Sequence, residues 1–217
     1  MRVYGWDISK KAVELAVENL RVNTEKGNLK IKGGKGSPVQ FDQVDIFSTF
    51  THAQKKQLHK ADIIISNPPY ISKEGLLRDT TRSVRNWEPR LALVPELDVY
   101  DDVAPEDVFY KRLIHLHAHL SRPKILIMEI GDLAQALRVA NLAMSDHLPS
   151  RLNKIEIWKD WPEGKEEKQD KMVVKGVKIP VRGEGKMRAV VVRSFDRTWP
   201  AGGMMGEDER RRWVAQE

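Results

Sequence analysis

An α/β fold, a parallel sheet with helices on both of its faces, is the architecture that this 217-residue sequence predicts. Three observations carry the expectation. The chain opens on a short segment ending in an acid, Val3-Tyr4-Gly5-Trp6-Asp7, with Ser9 placed as a helix N-cap just after it. Two compact aliphatic runs, residues 61–66 and 125–130, are short enough for buried parallel strands and break off abruptly. Segments of helical periodicity lie between them, so strand and helix alternate.

In the first helix Ala12, Val13, Ala16, Val17 and Leu20 fall on one face. Residues 23–40 are polar and glycine-rich, with 33–38 reading as an extended loop or hairpin, and Val39, Phe41 and Val44 lead into a second strand ending near Asp45. Phe109, Leu113, Leu116 and Leu120 recur at helical spacing before the 125–130 strand. A helix over 133–144 follows, with Leu133, Ala136, Leu137 and Ala140 on its inner face. Ile155 and Ile157 alternate with polar residues as in a strand, and 188–193 supplies the last one. The charged, glycine-containing stretch 163–186 reads as a surface insertion within a hairpin, and 207–212 as a solvated short helix.

Composition narrows the class. Hydrophobic residues at 41% and charged residues at 31% fit a globular domain, and no apolar run approaches the length of a bilayer span. The absence of cysteine excludes disulfides and thiolate metal sites. The N-terminus lacks the layout of a secretory or transit peptide, so the expected location is intracellular, cytoplasmic or mitochondrial. Four of the six excess positive charges lie beyond residue 150, which leaves nucleic-acid contact as a weaker alternative to a solvated, mixed-sign surface. His115 and His119 share a helical face, but no third ligand accompanies them and no metal site is expected.

Ligands of parallel sheets bind beyond the carboxyl ends of the strands. Asp7, Asp45, Asn67 and Glu129 all fall at or near such ends. Among them, Asn67-Pro68-Pro69-Tyr70 carries the clearest chemistry. A planar amide or aromatic amine is a weak nucleophile because its lone pair is delocalised, so an enzyme that alkylates it must orient that lone pair. The Asn67 side-chain carbonyl and the Pro68 backbone carbonyl can each accept one N–H of an NH2 group. Two such bonds position the nitrogen and stabilise developing positive charge. The prolines restrict the backbone so that the carbonyls converge, and Tyr70 offers an aromatic wall. A loop that merely ends a strand is the alternative reading of the same residues.

The segment Ile64-Ile65-Ser66-Asn67-Pro68-Pro69-Tyr70-Ile71-Ser72, followed by Val84-Arg85-Asn86-Trp87-Glu88-Pro89-Arg90-Leu91-Ala92-Leu93, resembles the HemK/PrmC-type release factor glutamine methyltransferases. The likeness extends to residues 106–114, 125–131 and 188–193. The resemblance implies a Rossmann-like class I methyltransferase sheet and methylation of a glutamine side-chain amide in a peptide chain release factor, with S-adenosyl-L-methionine as donor. It implies that Asp7 meets the ribose hydroxyls, Asp45 the adenine amine and Ile46 the base. It assigns Asn67, Pro68, Pro69 and Tyr70 to the substrate amide. Residues 1–193 then form a partial catalytic domain with inserts near 30–40 and 163–186, and 194–217 a C-terminal extension.

Such sheets ordinarily begin with a strand leading into a glycine-rich turn against the methionine end of the donor. Here Trp6-Asp7-Ile8 matches the end of the second strand; Gly33-Gly34-Lys35-Gly36 lacks an apolar strand before it and a helix start after it, Gly183-Glu184-Gly185 sits in the charged insert, and Gly202-Gly203 follows a Trp-Pro turn, so all three read as loops. The expectation is a truncated member whose central strand is missing, leaving a gap or a repaired sheet, and which holds the cofactor weakly. Two alternatives stay open: a methyltransferase acting on adenine N6 or guanine N2 of nucleic acid, and a non-catalytic binding or scaffold protein that keeps the fold.

Overall fold

The computed structural model describes residues 2–30, 38–78, 80–97, 100–120, 125–146, 153–163 and 171–194. The expected loop at 33–38 lies outside them except for Pro38, and the helix expected at 207–212 lies outside them entirely.

Val3–Asp7 (β1) pairs in parallel with Val39–Gln43 (β2). The second strand stops two residues short of Asp45, although the Val44 N–H still reaches the Asp7 carbonyl at 2.9 Å. Between them runs Lys10–Glu25 (α1), whose first turn is closed by the Ser9 hydroxyl accepting the Ala12 N–H at 3.3 Å. Ala12, Val13, Ala16 and Leu20 are half-buried on the expected face, but Val17 is exposed. No residue of α1 is fully buried; among the described elements the helix packs chiefly against the two-stranded β1–β2 ribbon.

The remaining strands form one sheet in the order β3-β4-β8-β5-β7-β6: Ile63–Ser66 (β3), Ile125–Glu129 (β4), Glu184–Ser194 (β8), Asn153–Trp161 (β5), Val177–Arg182 (β7) and Lys171–Val174 (β6). β3 and β4 are parallel, and β8 lies antiparallel between β4 and β5. Among the described residues no strand pairing joins β1 to β3. The described strands therefore form two separately paired sets. His52–Lys60 (α2), opened by a reciprocal Thr51–Gln54 capping box, helps bridge them: its Leu58 joins Val44, Phe50 and Leu116 in a small cluster against which Trp6 of β1 and Ile64 of β3 both pack.

The main core lies where Val108–His115 (α5) and Leu133–Asp146 (α6) cover β4, β5, β7 and β8. Leu113 and Leu116 are buried as their spacing predicts, but the helix widens into a π turn over Leu116–Leu120. On α6 the inner face is Gln135, Ala136, Val139, Ala140 and Ala143, whereas Leu133 is 42% exposed. The expected register is correct for Ala136 and Ala140 and wrong for Leu133, because Gln135 takes the inward place on the first turn.

Two further expectations change. The 61–66 run is a parallel strand, but not a buried one: Ile64 faces the core while Ile63 and Ile65 on the opposite face are 53% and 74% exposed. A parallel strand is buried only if both its edges and faces are covered, and β3 is an edge strand. The 163–186 stretch is not wholly a surface insertion, since 171–182 forms the β6–β7 hairpin and puts Val174, Ile179 and Val181 into the core. Its turn, Lys175-Gly176, has φ of 47° and 80°, the double left-handed pattern of a two-residue type I′ hairpin.

Candidate active site

The Asn67–Tyr70 segment leaves β3 at its carboxyl end, as the strand-then-loop pattern predicts. Asn67 is exposed, Pro68 buried, and Pro69 and Tyr70 half-buried, so the loop is anchored at its second residue and presents its first to solvent. Past Tyr70 the chain is tied down by the Ile71 N–H donating to the Leu93 carbonyl at 2.9 Å. Lys73–Arg78 (α3) and Arg82–Trp87 (α4) fill the connection, followed by a 3₁₀ turn at Arg90–Ala92.

Tyr70 meets the end of β4. Its hydroxyl donates to Glu129 Oε1 at 3.2 Å, and Arg188 of β8 stands 3.9 Å from the same oxygen. Arg188 is held in turn by Asp160 at 2.8 Å, and Asp160 also accepts the Lys186 N–H. Burial, the nearby Glu129 charge and the bond to it push the Tyr70 hydroxyl above its ordinary range, so the phenol stays protonated. Glu129, which sequence reasoning left without a role, thus accepts from the loop tyrosine.

Asp7, Asp45 and Ile46 lie around the other part of the sheet. Asp7 ends β1, is exposed, and accepts the Ser9 N–H at Oδ1 at 2.7 Å. Asp45 is half-buried and accepts the Phe47 N–H at Oδ1 at 2.9 Å. Both therefore make local turn bonds. Ile46 packs against both hydrophobic clusters, and its carbonyl accepts Arg112 Nε at 2.7 Å. Burial lowers the Arg112 pKa from its ordinary value. Ile46 and Tyr70 touch the same main core, but no hydrogen bond among the described residues links Asp7 or Asp45 to the loop.

Sequence reasoning missed a set of buried polar residues behind the loop. Asp107 and Gln135 are buried, and Tyr110 is fully so. Tyr110 donates to the Glu129 carbonyl at 2.7 Å, and Arg138 forms an ion pair with Asp107. The available signal was a glutamine on an otherwise alanine- and valine-rich helix face, a placement that needs a hydrogen-bonded reason. His115 and His119 stack with ring centroids 4.5 Å apart, and no group of three or more His, Cys, Asp or Glu that could hold a metal occurs among the described residues. Nor is any described helix long and apolar enough to cross a membrane.

The fold is an α/β fold of the kind found in methyltransferase catalytic domains. The catalytic domain of hMettl16, solved in complex with the MAT2A 3′UTR hairpin 1, superposes with a TM-score of 0.50 at 15% identity, covering 91% of this chain and 56% of that one. The profile of the Eco57I restriction-modification methylase family matches residues 1–90. By sequence the chain is a homologue of the release factor glutamine methyltransferases. It is 37% identical over 126 residues to that enzyme of Bacillus subtilis, covering 58% of this chain and 35% of the relative. It is 32% identical to the mitochondrial MRF1 N(5)-glutamine methyltransferase MTQ1 of Saccharomyces cerevisiae, covering 67% and 38%, and 30% identical to the probable mitochondrial enzyme mtq1 of Schizosaccharomyces pombe, covering 63% and 42%. The chain spans about two-fifths of the length of the yeast relatives.

Proposed function

We propose that this chain carries the amide-holding half of an S-adenosyl-L-methionine-dependent methyltransferase acting on a glutamine side chain of a peptide chain release factor. What supports the reading most is the anchored Asn67-Pro68-Pro69-Tyr70 loop at the end of a parallel strand, in a chain homologous to enzymes named for that reaction. Exposed Asn67 offers its side-chain oxygen, and Pro68 its carbonyl, to the two N–H groups of the amide. Donor bonds to both oxygens orient the nitrogen lone pair and favour positive charge growing on it. Tyr70, kept neutral, walls the flat amide without competing as a base.

The donor, when bound, supplies an electrophilic methyl group. The nucleoside end of that molecule suits Asp7 and Asp45 as acceptors for ribose hydroxyls and the adenine amine, with Ile46 as an apolar neighbour for the base. Each carboxylate already gives one oxygen to a turn, so each meets the donor through its other oxygen. Residues 1–193 act as part of a catalytic domain, with 194–217 as an extension. The place of action is wherever release factors are made and used, cytosol or mitochondrion.

The test is calorimetric binding of a purified release factor to the chain, with Asn67→Ala alongside, and tracing of labelled methyl at high donor concentration. Binding that weakens about tenfold or more in Asn67→Ala, with label only on glutamine, supports the reading. Binding indifferent to Asn67, or label appearing on nucleic acid, overturns it.

A further inference from the structure

Behind the loop, Gln135 is only 3% exposed, and its amide is used on both sides. Oε1 accepts the Gly131 N–H at 2.8 Å, while Nε2 donates to the Tyr70 carbonyl at 3.2 Å and to Asp107 Oδ1 at 3.0 Å. These partners fix the orientation of the amide, because a flipped side chain would set a nitrogen against an N–H and an oxygen against a carbonyl and a carboxylate. Asp107, 2% exposed, is neutralised by Arg138, so the acceptor on which Gln135 leans is itself held. The Gln135 N–H donates to Asp132 Oδ1 at 2.7 Å, which fixes the start of the helix that carries it.

Tyr70 is met from three sides by one turn. The hydroxyl rests on Glu129, the carbonyl on Gln135, and the ring on Gly131, where an added Cβ would stand 3.2 Å from Cδ2 of the ring and 3.3 Å from Cε2. Glycine there leaves the space that the ring occupies. Two consecutive prolines precede Tyr70, and the ring of Pro69 locks a backbone φ on the path between the anchored Tyr70 carbonyl and the Pro68 carbonyl. Holding the Tyr70 carbonyl therefore narrows the positions open to the Pro68 carbonyl.

We propose that Gln135 is a positioning residue for the Asn67–Tyr70 loop, acting with Glu129 and Gly131 as a three-point seat for Tyr70. The role rests on the function proposed above, but the seat has a readout of its own. The full chain is labelled with 3-fluorotyrosine, which marks Tyr4, Tyr70, Tyr100 and Tyr110, and the Tyr70 signal is assigned by its loss in Tyr70→Phe. In Gln135→Met and Gln135→Glu, which remove the donor to the Tyr70 carbonyl, the Tyr70 fluorine resonance moves by more than its linewidth toward the free amino acid. Gly131→Ala, which removes no buried polar group, moves the same resonance by displacing the ring and serves if the Gln135 variants do not fold. The Tyr4 signal stays in place throughout.

Release factor binding is measured on the same samples and falls at least about fivefold in Gln135→Met. A Tyr70 resonance unmoved in the folded variants, with only the melting temperature lowered, makes Gln135 an ordinary core residue and overturns the proposal. A wild type that binds no release factor while the resonance shifts as described sinks the functional reading and leaves the seat standing.

Discussion

The Tyr70 hydroxyl and the Glu129 carboxylate meet at 3.2 Å, joining the loop that leaves β3 to the last residue of the neighbouring parallel strand β4. The bond places an anion beside a phenol that burial already keeps protonated. Replacing Glu129 by Gln removes that charge and lets Tyr70 ionise at lower pH than in the wild type. Absorbance at 295 nm through alkaline titration, with Tyr70→Phe as subtraction control, measures the change. An unchanged titration contradicts the contact.

A second prediction concerns the sheet. Glu156 is fully buried between Lys154 at 3.0 Å and Arg182 at 2.9 Å, with Trp158 Nε1 donating at 3.1 Å and Arg193 at 3.5 Å. Burial pushes its carboxyl up, but the bonds from Trp158, Lys154 and Arg182 outweigh it and hold the group below the ordinary carboxylate range. Removing one partner of such a cluster strands buried charge, so Glu156→Ala costs about 3–5 kcal/mol in urea unfolding. A loss under about 1 kcal/mol would show that the arginines reach water without it.

Acid sensitivity follows from His115. Burial, then His119, Arg112 and Lys111, depress its pKa to about 4, against an unfolded value near 6.5. The unfolded chain therefore binds the proton first. Stability from this group is complete above about pH 6.5 and is lost as pH falls toward 4. Glu156, depressed below its ordinary value, adds loss in the same direction at lower pH. The melting temperature of wild type should fall relative to that of His115→Gln as the pH is lowered from 7 to 4, and parallel curves would show that the histidine does not set the upper part of the slope.

The open face of β3 leads to a fourth outcome. Ile63 and Ile65 face solvent on an edge strand, an arrangement that invites pairing with another chain. Ile65→Lys should reduce concentration-dependent association in sedimentation velocity while changing stability by less than about 0.5 kcal/mol. Association that persists in the variant points to a different surface.

At the turn between β6 and β7, both residues adopt positive φ, and only one of them is glycine. Lys175→Asn relieves a left-handed lysine and should stabilise the hairpin by about 0.5 kcal/mol, whereas Gly176→Ala should destabilise it by about 1 kcal/mol. Thermal melts of the two variants shifting in opposite directions is the expected outcome.

Much of this fold could be read from the sequence where a single force dominates. Residues 125–130 are aliphatic and bounded, and they form β4. Ser9 and Thr51 are helix caps on chemistry alone. The β6–β7 hairpin escaped notice because Lys178 and Pro180 interleave with Val177, Ile179 and Val181, so its alternation looks like a charged loop until β5 covers one side. The exposure of Ile63 and Ile65 depends on what lies beside β3, which no local pattern encodes. In the site, Asn67 to Tyr70 announces itself through an unusual pair of prolines. Gln135 does not, because its value lies in partners 65 residues before it at Tyr70 and 28 before it at Asp107.

The division of the sheet also sets how the molecule opens. Among the described residues β1 and β2 pair as strands with each other alone, under a helix with no fully buried side chain, whereas β4, β5 and β8 are paired on both edges beneath α5 and α6. Cooperative unfolding requires shared contacts, and the two parts share chiefly the small cluster around Phe50 and Leu58. Amide protons of residues 3–7 and 39–43 should therefore exchange with solvent through a local opening of low free energy, while those of 125–129 and 189–192 wait for global unfolding. Asp7 and Asp45, proposed above to meet the nucleoside, would then sit on the part of the protein that breathes, and the Asn67–Tyr70 loop on the part that does not.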